Sequence, residues 1–163
     1  MTSRNAKSTD EKTDAIGFEQ HDHHACEQDG MAAAEARCTN EGLRFTPVRR
    51  KTLEILLQEH RALGAYEVLN RLREGGFGSQ PPVAYRALEF LVANGFVHKI
   101  EKLNAFIACA NPGMSHSPAF MICRACDSVA ETQSMPARGA LGDAAKAVGF
   151  VIEKTVVEAE GLC

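Results

Sequence analysis

The chain reads as an α+β protein, with an N-terminal winged helix-turn-helix joined to a small C-terminal α/β domain. Three observations lead there. Apolar residues recur at helical spacing in successive segments up to Asn94-Gly95. Two short β-prone runs follow, Phe96-Val97-His98-Lys99-Ile100 and Ala105-Phe106-Ile107-Ala108-Cys109, with Leu103-Asn104 in the turn between them. Past a break at Asn111-Pro112-Gly113, strand-like runs flank a Cys123-x-x-Cys126 pair, and a helical and a β-branched run come after. Helices, a hairpin and then mixed strands and helix is the order that such a two-part chain requires.

The elements follow from local chemistry. Met1 to about Gly30 is polar with few large apolar residues, so it reads as a mostly disordered tail. Met31 to Gly42 is rich in Ala and Glu and predicts a helix that stops at Gly42. Thr46-Pro47 is an N-cap followed by proline at the first helical position, and Leu53, Leu56 and Leu57 supply an apolar stripe. A third helix runs from about Ala65 to Glu74, with Val68, Leu69 and Leu72 inward, and Gly75-Gly76 ends it. Ser79-Gln80-Pro81-Pro82 opens a fourth helix whose buried stripe is Ala84, Leu88, Leu91 and Val92. Tyr85, Arg86 and Glu89 fall off that stripe. Ala119–Ile122 and Ser128–Thr132 predict strands, Ala137–Val148 a helix and Phe150–Glu158 a further strand. Residues 31–110 then form the winged-helix domain, 111–116 a hinge and 117–163 the metal-binding C-terminal domain.

Composition narrows the function. With 163 residues, 45% hydrophobic and 24% charged, the chain has material for one ordinary domain or two small ones. A net charge of -3 gives no global attraction to nucleic acid, so any DNA-reading face is a local concentration of Arg and Lys. No apolar run approaches the ~20 residues of a membrane span. The N-terminus has no signal-peptide core, and a cytoplasmic location is expected, with no membrane partner. Six cysteines, two of them in a CxxC beside histidines, point in a reducing compartment to metal before disulfides. No nucleophile–base pair and no phosphate-cradling glycine loop suggests an enzyme or a small organic substrate.

Two kinds of chemistry stand out. The fourth helix offers Tyr85 and Arg86 near its N-terminal end, where helix-turn-helix proteins place base-contacting residues. Arg44, Arg49, Arg50 and Lys51 form a basic run suited to phosphates, and Tyr66 starts the third helix. The plain alternative is a solvated helical surface. It loses ground because the run precedes an amphipathic helix and a hairpin. The second kind is metal ligation. Cys123 and Cys126 at this spacing in a turn chelate one tetrahedral Zn²⁺. A redox pair is the alternative, but such pairs sit at a helix start, whereas this one lies between strand-like runs. Cys163 is the obvious third ligand. The fourth is left to water, to a tail residue such as Cys26, or to a residue beyond the chain's end. His98, Cys109, His116 and Glu131 make a second, mixed set around the hinge. Singly they have plain explanations as wing, core and surface residues. His21, His23, His24 and Cys26 offer an accessory site or else a solvated His-rich tail.

Several stretches together resemble a known family. Arg44-Phe45-Thr46-Pro47-Val48-Arg49, Pro81-Pro82-Val83-Ala84-Tyr85-Arg86-Ala87-Leu88, Gly95-Phe96-Val97-His98-Lys99, Ile122-Cys123-Arg124-Ala125-Cys126 and Glu160-Gly161-Leu162-Cys163 are similar to the ferric uptake regulator superfamily. The likeness runs from about Ala32 to Cys163. Within it the zinc uptake regulator branch is the nearest. Iron and peroxide sensors carry a His-rich segment where this chain has Ser115-His116-Ser117-Pro118. The resemblance implies a homodimeric repressor of zinc uptake and homeostasis genes that binds double-stranded operator DNA when zinc-loaded. It implies that the C-terminal domain dimerises and that each subunit holds two zinc ions. Cys123, Cys126 and Cys163 would be the structural site and His98, Cys109, His116 and Glu131 the regulatory one. Tyr66 and Arg86 would contact DNA. The family's usual second cysteine three residues after the Cys163 position is not in this chain, and Gln80 stands where relatives often carry a basic residue. Competing expectations are a regulator answering to iron or another metal, a zinc buffer or metallochaperone, and a thiol redox protein.

Overall fold

The computed structural model describes residue 18 and residues 23–59, 61–78, 80–112, 116–134 and 138–163. Four helices come first: α1 (His23–Glu41), α2 (Pro47–Leu57), α3 (Ala65–Glu74) and α4 (Pro81–Ala93). A short strand β1 (Leu63–Gly64) precedes α3, and the hairpin β2 (Val97–Ile100) and β3 (Ala105–Ala108) follows α4. The second half is β4 (Pro118–Cys123), β5 (Val129–Gln133), α5 (Ala140–Ala147) and β6 (Val157–Gly161).

Local signals place these elements. The Thr46 side chain accepts a hydrogen bond from Arg49 N, and Pro47 occupies the first turn of α2. At the end of α4, Gly95 takes φ +71°, which costs a glycine nothing. Gly95 N then donates to Val92 O at 3.1 Å and Phe96 N to Leu91 O at 2.9 Å. This double closure turns the chain sharply, sends Phe96 into the core and launches β2. Asn104, at φ +46°, makes the turn between β2 and β3.

The hairpin forms an antiparallel sheet of order β1-β3-β2, and the second sheet has the order β5-β4-β6. There β4 pairs antiparallel with β5 and parallel with β6, the crossover passing through α5. The hairpin is buried on both faces. Val97 and Phe106 join the main core beneath the helices, with Leu53, Leu56, Leu72, Leu88 and Leu91. On its other face Ile100 and Ile107 pack with Phe120, Ile122 and Val129 of the second sheet. Fifteen buried residues form the first cluster and five the second. Apolar burial stabilises in proportion to area, so the helical half coheres by itself and the joint relies on polar ties as well.

Four readings of the elements change, the first being Val92, expected in the buried stripe of α4 but 37% exposed. The first helix starts at His23, not Met31, so residues 23–30 belong to it. Gly30 is a packing device here: a Cβ on it would lie 2.8 Å from Leu57 Cδ2, so glycine lets α1 approach α2. The last strand runs over Val157–Gly161, not Phe150–Glu158. A strand needs a partner edge, and the β4 register matches Ala119 with Val157 and Cys123 with Gly161. β1 was not anticipated; two residues leave no periodicity to read. His21 and residues 113–115 of the predicted hinge lie outside the described residues, as does most of the predicted tail. Among the described residues no helix is long and apolar enough to cross a membrane.

Candidate metal centres and groove-reading face

Four elements converge on the joint. Alternation along β2 turns His98 and Ile100 toward the second sheet. Cys109 N donates to Phe96 O at 2.9 Å, which prolongs the hairpin ladder and aims the buried thiol the same way. His116 stands ahead of β4, and Glu131 lies on β5. One ligand atom from each of His98, Cys109, His116 and Glu131 falls within 4.8 Å of every other. Cys109 Sγ is 3.5 Å from His116 Nε2 and 3.9 Å from Glu131 Oε1, which is 2.7 Å from His116 Nε2. His98 Nε2 is buried, makes no hydrogen bond of adequate geometry and stands 3.4 Å from Glu131 Oε1.

These residues suit zinc. Bonds of about 2.0–2.3 Å in a tetrahedron put ligand atoms roughly 3.3–3.8 Å apart, close to the spacings found. Glu131 is 4% exposed, and among the described residues its ion-pair partners are only the imidazoles of His98 and His116. A buried carboxylate without Lys or Arg is costly, and a divalent cation removes that cost. Burial is the largest influence on Glu131 and opposes its ionisation. His98, the Ala110 N–H at 2.8 Å and His116 together outweigh it, and its pKa falls. Burial, then the charge of Glu131, pushes the Cys109 thiol up to about 12. Without a metal this thiol keeps its proton, and a metal would displace it.

The thiol cluster is built differently. Cys123 closes β4, Asp127 at φ +58° closes the turn, and Asp127 N donates to Cys123 O at 2.9 Å. Parallel pairing of β6 brings Cys163 alongside, 3.6 Å from Cys126 Sγ. Its backbone N–H donates to Cys123 Sγ at 3.4 Å. That bond, with the amides of Ala125 and Cys126, lowers the Cys123 thiol to about 6. Sharing hydrogen bonds with Cys123 and Cys126 raises Cys163 to about 11. Three sulfurs around one turn, backbone amides stabilising a thiolate and no helix start fit a zinc knuckle better than a two-cysteine redox pair. Among the described residues two metal-ligating groups converge, and neither includes His24 or Cys26. His24 faces Glu27 and Gln28 on α1, and Cys26 is half-buried.

The basic run is less available to solvent and partners than its sequence suggests. Arg86, Tyr85 and Arg44 are exposed, and Tyr66 at the start of α3 is 65% exposed. Arg49 instead lies over the Phe90 ring at 3.7 Å and donates to Arg44 O. Arg50 pairs with Glu35 and Lys51 with Glu54. The 41-residue separation of Arg49 from Phe90 leaves no signal in the sequence. The stacking makes Arg49 a brace between α2 and α4.

A winged-helix half clasped to a ligand-bearing α/β half is the build of a metal-sensing regulator. The ferric uptake regulator family matches residues 40–159, and the chain belongs to that family. The zinc uptake regulation protein of Escherichia coli (strain K12) is 36% identical over 137 residues, 83% of this chain and 80% of that protein. A zinc uptake regulator complexed with zinc and DNA superposes with TM-score 0.78 at 36% identity, covering 84% of this chain and 92% of that one. The protein XcZur superposes in its holo form with TM-score 0.73 at 41% identity, covering 83% of this chain and 94% of that one. In its apo form, at 42% identity and covering 85% and 96%, the TM-score is 0.51.

Proposed function

We propose that the protein is a zinc-responsive transcriptional repressor that binds operator DNA of zinc uptake and homeostasis genes as a homodimer. The observation that carries this is the convergence of His98, Cys109, His116 and Glu131 from both halves onto one point. The comparison with XcZur supports it: overall likeness falls sharply from the holo to the apo form at nearly equal identity.

In this reading α1 through residue 110 is the DNA-binding domain, 111–116 the hinge and 117–163 the dimerisation domain. His98, Cys109, His116 and Glu131 hold a regulatory zinc, and Cys123, Cys126 and Cys163 hold a second, structural one. When bound, the regulatory ion neutralises Glu131 and joins hairpin to β5. His98 and Cys109 transmit the arrangement to α4, because the hairpin also forms part of the helical core. Arg86, Tyr85 and Tyr66 then meet base edges and backbone, and Arg44 meets phosphate. A ligand that prefers one arrangement shifts the population toward it. For the dimer, Leu141 on α5 and Val148, Phe150, Val151 and Val156 after it are exposed apolar residues, and a second copy is the partner that would cover them.

The test is a zinc titration against operator DNA, read by fluorescence anisotropy. Affinity rises with zinc and falls on chelation. An affinity equal in stripped and saturated protein refutes the reading.

A further inference from the structure

The second sheet grips the hairpin along one cross-strand row. Phe120 on β4 is the register partner of Glu131 on β5 and of Glu158 on β6. Register partners stand on the same face of a sheet, so the three side chains point together toward the hairpin. Glu131 enters the metal-ligating cluster. Phe120 lies against the His98 ring, centroids 5.5 Å apart. Glu158 reaches past both to the hairpin's tip, where it accepts from Glu101 N at 2.6 Å and Lys102 N at 2.9 Å. Two successive backbone N–H groups in a turn form an anion-holding concavity, and one carboxylate fills it with both oxygens. Lys102 Nζ also pairs with Glu160 at 2.7 Å, but both side chains are exposed and such a pair contributes little.

We infer that Glu158 is a positioning residue for DNA binding: it clasps the wing tip to the C-terminal sheet and holds the recognition helix at its binding angle. This rests on the proposed function. Glu101 lies three positions on from His98, a rise of about 10 Å along a strand. The apolar seam at Ile100 and Ile107 is small, so a hairpin held there and at His98 and Cys109 can still pivot. A second anchor about 10 Å away removes the pivot. The hairpin is fused to the helical core through Val97 and Phe106, so its tilt is the tilt of α4. Glu158 touches neither ligand group, and its strand ends two residues before Cys163. Zinc content and DNA affinity are therefore separable at this residue.

The experiment uses zinc-loaded full-length protein and a duplex selected by the wild type from a random pool. Wild type, Glu158→Gln and Glu160→Gln are compared by anisotropy, zinc content, melting and amide exchange. Both variants lose one negative charge, which by bulk electrostatics alone tightens binding to a polyanion. The clasp demands the opposite sign for Glu158→Gln: roughly tenfold weaker binding, a coupling of ordinary size. Zinc content and melting stay as in the wild type, and exchange accelerates at the Glu101 and Lys102 amides. Glu160→Gln stays within about twofold or binds tighter. Equal or tighter binding by Glu158→Gln overturns the inference. So does a loss matched by lost zinc or lost folded protein, or an equal loss in Glu160→Gln. A wild type that binds no duplex refutes the functional reading and this inference with it, whereas failure of the variant alone refutes only the clasp.

Discussion

The two ligand clusters of this chain draw on similar atoms and do different physical work. The central one gathers His98, Cys109, His116 and Glu131 from both halves, and it exists only while hairpin and second sheet are in contact. The thiol cluster takes Cys123 and Cys126 from one turn and Cys163 from the strand paired beside it, so it closes one end of one sheet. A cation at the first would therefore sense the arrangement of the halves, and one at the second would stabilise the half it belongs to. Position in the topology, more than ligand identity, separates sensing from stabilising.

Stripping all zinc is the strongest challenge to that contrast. Operator affinity should fall about 100-fold, near the upper end of allosteric coupling, while the helical half keeps its secondary structure by circular dichroism. Next, Cys123→Ser should lower the melting midpoint by about 10 °C, since several kcal/mol of structural metal binding are lost at roughly 2–4 °C per kcal/mol for a chain of this size. An unchanged midpoint would deprive the thiol cluster of its stabilising role. Cys109→Ser should do the reverse, abolishing most of a roughly 30-fold zinc response with a midpoint shift under about 3 °C. If it unfolds the protein instead, the two clusters are not functionally distinct. Arg86→Ala should weaken operator binding about tenfold while both zinc ions stay bound, which separates a DNA-reading regulator from a zinc buffer. Smallest of all, Arg49→Ala should cost about 1 kcal/mol of stability with little change in the salt dependence of DNA binding, because its guanidinium stacks on Phe90 instead of facing phosphate.

Most of the local order was legible in advance. Thr46-Pro47 marks the start of α2, Asn94-Gly95 the end of α4 and Leu103-Asn104 the hairpin turn, because caps and turns depend on a few adjacent residues. The ligand sets were legible as residue types and, through family likeness, as groups. What misled was context. Residues 23–30 read as the end of a polar tail until Gly30 is seen against Leu57, and the β-branched residues near Val151 read as a strand until no edge is found for them. Arg49 reads as a phosphate contact until Phe90 is found under it.

Spacing, capping and residue chemistry thus settle the helices, the hairpin and the metal-binding character from the amino acids themselves. They act over a few positions and need no distant partner. The assembly of four ligands at one joint, the arrival of Cys163 beside Cys123, and the reach of Glu158 to the hairpin tip were decided by the folded chain. Each depends on strand register and on the packing of one sheet against another. A shift of one residue in β6 would turn Glu158 to the opposite face without altering any local propensity.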